Sequence, residues 1–362
     1  IKIENPSSGG DFARATGPYF MGEHDSLYFQ SFNLNKESLT LNLKSAKGRE
    51  ILHKLVKTSD AVINNMRGNQ PTKVGIDYAA LKSVNSTIVC GHISAYGRDN
   101  SRKSRPGYDY LMQAEAGFLS VTGEPDGPPA RFGLSLVDFM TGMMLAFGVT
   151  AAIIKAQRTG EGGDVDVSLM EAALHQLTYP GIWYLNEGLV TGRIARGAHP
   201  SVTPSQLVRS KDSWVFLMCQ NPRFWDLLIE GVARKGLAED PRFVDLEARL
   251  ANRDALTKEL DLIFAEKTTA EWVEQFKDIL PIAPVYDMAE ALDSPFIAEL
   301  GMINTVDHPD RTAMRVLNNP IRLDGQRLPQ RPGPKLGSAT DKILNELGYE
   351  ENDILSLRKS GD

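Results

Sequence analysis

An α/β fold, a parallel sheet covered by helices, is predicted by the alternation of short apolar runs with amphipathic stretches and by a change of pattern near residue 190. The runs IKIE (Ile1–Glu4), SLTLNL (Ser38–Leu43), AVIN (Ala61–Asn64) and TIVCGHIS (Thr87–Ser94) have strand character. Between the second and third, Lys47 to Thr58 places Ile51, Leu52 and Leu55 on one helical face. Strand and helix in alternation are the signature of parallel βαβ units. An apolar helix is expected from Phe139 to about Gln157, stopped by TGEGG, then a strand at DVDVSL and a helix from about Met170. Gly197 to Gln206 is polar and irregular. Beyond it the chain reads as one strand, SWVFLMCQ (Ser213–Gln220), and amphipathic helices over Asn221–Val232 and Thr269–Ile279, a second and smaller domain beginning near residue 190.

The composition sets the class. In 362 residues, 42% are hydrophobic and 24% charged, enough apolar material for two domains and a sizeable core. A formal charge of -6 gives no general attraction to nucleic acid or anionic membrane, and neither is expected as a partner. The apolar run from Phe139 to Ile154 falls short of the roughly 20 residues that span a bilayer and reads as a core helix. Cys90 and Cys219 both lie in apolar strand-like runs, the setting of reduced, packed thiols and of a cytoplasmic protein. The chain opens at Ile1 already in a strand, so an N-terminal segment is expected to be missing.

Few constellations announce chemistry. The histidines (His24, His53, His92, His175, His199, His308) are scattered, with none at the i, i+4 spacing of a helix-borne metal pair, and no metal site is expected. Asp138, in GLSLVDFMTGMMLAFGV, is a lone carboxylate in an apolar run directly before the long helix. Two readings stand: an N-cap worth about 1 kcal/mol, and an anionic nucleophile held by the helix N-terminus beside the Gly/Pro loop Thr122–Gly133. Glu171 falls in a first helical turn, where acidic residues serve stability. Gly9, Gly10 and Asp11 fit a plain turn or an anion-binding one. Arg98, Arg102, Lys103 and Arg105 share a loop that is solvated or meets phosphates. Tyr108 and Asp109 read as core and cap residues.

Taken in order, FNLNKESLTLNLKSAKGREIL (Phe32–Leu52), SDAVINNMRG (Ser59–Gly68), ISAYG (Ile93–Gly97), RPGYDYLMQAEAG (Arg105–Gly117), TGEPDGPPARFGLSLVDFMTG (Thr122–Gly142), RTGEGGDVDVSLMEAAL (Arg158–Leu174) and GPKLGSATDKILNELGY (Gly333–Tyr349) resemble the CaiB/BaiF (class III, formyl-CoA transferase-like) CoA-transferase family over practically the whole chain. The resemblance implies a Rossmann-like large domain with a parallel sheet, a smaller α+β domain, and two subunits forming an interlocked homodimer. The corresponding divisions are residues 1–190, 191–300 and a C-terminal part, 301–362, that returns to the large domain, with the family's first βα unit absent before Ile1. It implies transfer of CoA from an acyl-CoA to a small carboxylic acid, with Asp138 as nucleophile by way of a mixed anhydride and an aspartyl-CoA thioester, and no metal. CoA contacts carried over by position are Leu41, Asn42, Asn65, Met66, Lys73 and Tyr108; the family often has an aromatic at the position of Met66 and Arg at that of Lys73. A Gly-rich lid of the family corresponds to His199–Thr203, here HPSVT. Alpha-methylacyl-CoA racemases of the family use a His and a Glu where this chain has Tyr108 and Asn221, which makes racemisation the alternative; a non-catalytic acyl-CoA binder is a third. Arg131, Arg193 and Arg196 are candidates for a second substrate carboxylate.

Overall fold

The computed structural model describes residues 1–360. The chain divides into two compact units: one from residues 1–92, 145–166 and 288 onward, the other from residues 93–144 and 167–287.

In the first unit, strand Lys2–Glu4 pairs in parallel with Ser38–Thr40, and Ala61–Asn64 pairs in parallel with the start of Val89–Ser94, which is flanked on its other side by Gly163–Ser168. Helix Ala46–Val56 begins where Ser45 accepts the Gly48 N–H, and it buries the expected Ile51, Leu52 and Leu55 together with Val56. A β-carbon on Gly48 would lie 2.0 Å from the Asn42 carbonyl oxygen, so only glycine lets this helix start so close to the end of the strand run. Leu39, Leu41, Ile51 and Leu55 pack against Ile343, Leu344 and Tyr349 near the C-terminus, while Leu52, Val56, Ile76, Leu81 and Ile88 form a second cluster. An antiparallel hairpin, Ile303–His308 with Arg311–Leu317, completes the unit's longer strands and has no counterpart among the expected elements.

In the second unit, Ser205–Arg209, Trp214–Met218 and Ile282–Pro284 form an antiparallel sheet with Trp214–Met218 in the middle. Helices Pro222–Gly231, Arg253–Phe264 and Thr269–Phe276 cover it, and Trp225, Phe243, Phe264, Trp272 and Phe276 fill the core. The single strand expected here is thus one of three. SQLVR begins inside the polar stretch and IAP is bounded by prolines, so neither shows a clear period of two in isolation.

The apolar helix departs furthest from expectation. It runs Leu136–Thr159, starting where the Ser135 carbonyl accepts the Phe139 N–H, and it is long and apolar enough by length and composition to cross a bilayer. It is not a core helix within one chain: Val137, Thr141, Leu145, Val149 and Ala156 are buried along one line, whereas Met143 and Phe147 stay 67% and 80% exposed. Its end at Thr159 agrees with the expected stop at TGEGG, while its start lies three residues before the expected Phe139.

Glu4 and Arg14 tie the first unit together. Arg14 donates from Nε and Nη2 to the two carboxylate oxygens of Glu4, both at 2.8 Å, and Ser38 Oγ and the Asp11 N–H donate to the same group. The Arg14 guanidinium lies over the Phe29 ring and donates to the Pro334 carbonyl. Burial alone would raise the Glu4 pKa, but the hydrogen bonds from Arg14, Ser38 and Asp11 outweigh it and hold the carboxyl below its usual range. Removing one member of such a pair leaves the other charge buried and uncompensated. Arg14→Ala is expected to cost roughly 3–5 kcal/mol in urea unfolding; a loss under about 1 kcal/mol would show that water reaches Glu4 freely.

Candidate active site

The Asp138 side chain is placed by the residue before it. Val137 is fully buried with Ala95, Met112, Ala116, Leu169 and Ala173, which pack the start of the long helix against helices Asp109–Glu115 and Leu169–His175. With Val137 turned inward, Asp138 faces outward on the first turn and is exposed. This corrects the N-cap reading: Asp138 is the third helical residue, and the helix is entered at Ser135–Leu136 because Leu136 and Val137 join the apolar face rather than the preceding loop.

Asp109 is the residue that sequence reasoning undervalued. It is 3% exposed; its Oδ1 accepts from Gln113 Nε2 at 2.6 Å and its Oδ2 accepts the Asp138 N–H at 3.0 Å. Gln113, also buried, donates to the Leu134 carbonyl and accepts the Phe132 N–H, so one i, i+4 pair on a short helix holds both the loop before the long helix and that helix's first turn. The signal in the sequence was the DYLMQ spacing, which puts Asp109 and Gln113 on one face.

Desolvation, and secondly the charge of Asp109, push the Asp138 carboxyl up to about 6. The residue is exposed as a whole, yet its carboxyl is partly desolvated. The expectation of a helix terminus favouring the ionised form is therefore reversed in sign. A carboxylate with this basicity is ionised at neutral pH and a better nucleophile than an ordinary aspartate.

Tyr108, expected as a core residue, is 75% exposed at the head of helix Asp109–Glu115 in the same unit. Gly107 before it could not carry a β-carbon, which would meet that of Ala95 at 2.4 Å. Leu41, Asn42, Asn65, Met66 and Lys73 belong to the first unit. The Leu41 side chain is in the core, Asn42 Oδ1 accepts the Lys44 N–H, and Met66 packs at the edge of the cluster around Ile76 and Leu81. Asn65, Arg67 and Lys73 are exposed.

Other candidates are engaged elsewhere. Arg193 donates to the carbonyls of Glu124 and Gly127, Arg196 pairs with Asp261 at 2.6 Å and lies over Trp214, and Arg131 donates to Phe132 and Gly133 carbonyls. Arg102 pairs with Glu115. Glu171 accepts from Ser168 in a first-turn cap, as expected. Gly10 and Asp11 form the turn that feeds the Glu4–Arg14 pair. Asn221 Oδ1 accepts the Phe224 N–H as the cap of helix Pro222–Gly231. The segment His199–Thr203 is anchored: Arg249 Nε donates to the Thr203 carbonyl at 3.1 Å, and the His199 ring rests against Tyr179. Asp25, His308 and Asp310 bring three potential metal-ligating atoms within 4.8 Å. His308 Nδ1 accepts the Asp310 N–H, which puts the ring proton on Nε2 facing Asp25 Oδ2 at 2.9 Å, at an angle too oblique for a good hydrogen bond. That tautomer suits a buried His–carboxylate contact better than a metal ligand set.

The model of CoA-transferase family III matches residues 1–340. An acyl-CoA transferase of Fusarium pseudograminearum (strain CS3096) is 34% identical over 340 residues, 93% of this chain and 74% of that one. The acetyl-CoA:oxalate CoA-transferase of Acetobacter aceti is 33% identical over 355 residues, 97% and 89% of the two chains. Among solved structures, a CaiB/BaiF family protein from Brucella suis superimposes with a TM-score of 0.82 at 30% identity, covering 95% of this chain and 90% of that one. The mixed α/β fold, its parallel strand pairs and the family match agree, and the chain belongs to CoA-transferase family III.

Proposed function

We propose that this enzyme moves CoA from an acyl-CoA donor to a small carboxylic acid, with the Asp138 carboxylate as the covalent carrier. The observation that carries this reading is a solvent-facing carboxyl on a helix's first turn, raised to about 6 by desolvation and by Asp109. An Asp138 oxygen attacks the donor thioester carbonyl and the C–S bond breaks, giving a mixed anhydride and CoA thiolate. The thiolate attacks the Asp138 acyl carbon, the anhydride C–O bond breaks, and the donor acid leaves, with an aspartyl-CoA thioester remaining. The acceptor carboxylate then attacks that thioester and the two steps run in reverse. One thioester is exchanged for another and no net proton is transferred, so the protein needs to supply only position, a nucleophile and protection of the anhydride from water.

The acceptor proposed is a small dicarboxylic acid, supported by a relative named for oxalate. Arg193 donates to the Glu124 and Gly127 carbonyls and Arg196 pairs with Asp261 through Nη2, while Arg196 Nη1 is buried without a hydrogen-bond partner and is the donor left for a second carboxylate. Epimerisation at an alpha carbon lacks support from Tyr108, which is no imidazole, and from Asn221, which is engaged as a helix cap. The working unit proposed is a homodimer in which a second copy covers the apolar helix Leu136–Thr159, only 22% of whose apolar stretch is buried in one chain.

Four outcomes check this. Asp138→Ala should abolish exchange of label between an acyl-CoA and a dicarboxylic acid while CoA binding persists; retained turnover overturns the assignment. The acid limb of kcat/KM for acyl-CoA should fall near pH 6, because protonation removes the nucleophile, and Asp109→Asn should move that limb to lower pH by deleting the like charge. A limb that stays put in that variant would mean another group titrates. Because the folded-state pKa lies above the ordinary 3.8, the folded chain binds this proton more tightly, and the group's favourable contribution is lost as pH rises through about 6. Asp138→Asn should therefore raise Tm at about pH 8 and leave it nearly unchanged at about pH 4; sedimentation at micromolar concentration should give twice the chain mass.

A further inference from the structure

One buried histidine outside the Asp138 region has a defined task. His92, 1% exposed in strand Val89–Ser94, lies between two partners: its Nδ1 is 2.8 Å from Asn64 Nδ2, and its Nε2 is 2.9 Å from Asp164 Oδ1. The hydrogen bonds around it leave one consistent set of directions. Asn64 Oδ1 accepts the Met66 N–H at 3.2 Å, so the amide group turned toward the ring is the NH2, which also reaches the Gly91 carbonyl. His92 Nδ1 must then accept, the ring proton sits on Nε2, and Nε2 donates to Asp164, whose Oδ1 also accepts the Tyr78 N–H. Asp164 thereby fixes the His92 tautomer, His92 fixes which way the Asn64 amide points, and that amide holds the backbone where the chain leaves strand Ala61–Asn64.

The segment so held begins with Asn65 and Met66, expected as CoA contacts from the family resemblance, and continues through Arg67 to Lys73, both cations exposed. We infer that His92, oriented by Asp164, is a positioning residue for the acyl-CoA: through Asn64 it sets the backbone at Asn65 and Met66, which would contact CoA. This rests on the CoA-transferase reading above and adds to it a relay of Asp164, His92 and Asn64 that touches neither substrate nor Asp138. A flipped Asn64 amide would point an acceptor-poor NH2 at the Met66 N–H, so the relay selects one loop geometry rather than merely filling space.

The test is a split of kinetic constants. His92→Phe keeps the ring volume and removes both contacts; it should raise KM for acyl-CoA and Kd for CoA about tenfold, with kcat and KM for the acceptor acid changed less than about twofold. His92→Asn returns an acceptor to the place of Nδ1 and should recover most of the affinity, which a packing role alone would not give. If His92→Phe does not fold, Asn64→Ala at the half-buried strand end carries the same expectation. Unchanged CoA affinity in a folded variant, or kcat and both KM values lost together with no recovery in His92→Asn, overturns the inference and leaves the transferase intact. Wild-type protein that neither binds CoA nor exchanges it would remove the transferase reading and this one with it.

Discussion

Two carboxylates in contrasting environments, joined by the hydrogen bond from the Asp138 N–H to Asp109, set the character of the candidate site. Asp109 is buried and doubly engaged, by Gln113 and by the Asp138 N–H, while Asp138 is exposed as a whole with its carboxyl partly desolvated. Desolvation, and secondly the charge of Asp109, make the Asp138 proton harder to remove. The result is one carboxylate that acts as scaffold and one that is basic enough to attack a thioester yet largely charged at neutral pH. The helix N-terminus, which would lower the pKa, is outweighed by desolvation.

That balance is a packing outcome. Val137 buries itself beneath the helix, Gly107 allows the chain to pass against Ala95, and Gln113 ties the loop at Phe132–Leu134 to the same short helix. The first unit shows the same logic at two other polar centres, the Glu4–Arg14 pair with Ser38 and the Asp164–His92–Asn64 relay. In the first, a buried ion pair has both carboxylate oxygens of Glu4 engaged; in the second, the buried His92 is held between half-buried Asn64 and exposed Asp164, and each steadies the chain where it leaves a strand. Asp138, the proposed nucleophile, has only desolvation and the charge of Asp109 as causes of its shift, with no hydrogen bond among them.

Much of the fold was legible in the residues. The strands at Lys2–Glu4, Ser38–Thr40, Ala61–Asn64 and Val89–Ser94 and the buried face of helix Ala46–Val56 follow from local periodicity, which is a short-range property. Ser205–Arg209, Ile282–Pro284 and the hairpin Ile303–His308 with Arg311–Leu317 did not announce themselves, because short mixed polar strands gain their stability from cross-strand partners far along the chain. Asp138 stood out as a lone carboxylate in an apolar run, but the sign of its pKa shift was not readable, since Asp109 lies 29 residues earlier and reaches it only through tertiary packing. For the same reason the apolar helix looked like core: a sequence records that a face is hydrophobic, not how much of it the fold buries.

The central claim is that the transferred CoA passes through a covalent bond to one particular oxygen-bearing side chain. Incubating the enzyme with acyl-CoA alone, reducing any thioester with borohydride and digesting for peptide mass spectrometry addresses that directly. The account predicts a donor-dependent reduction of the side chain at Asp138, converting it to an alcohol, and none without acyl-CoA. Modification at another residue, or complete transfer to an acceptor with no modified peptide at any time, would contradict it.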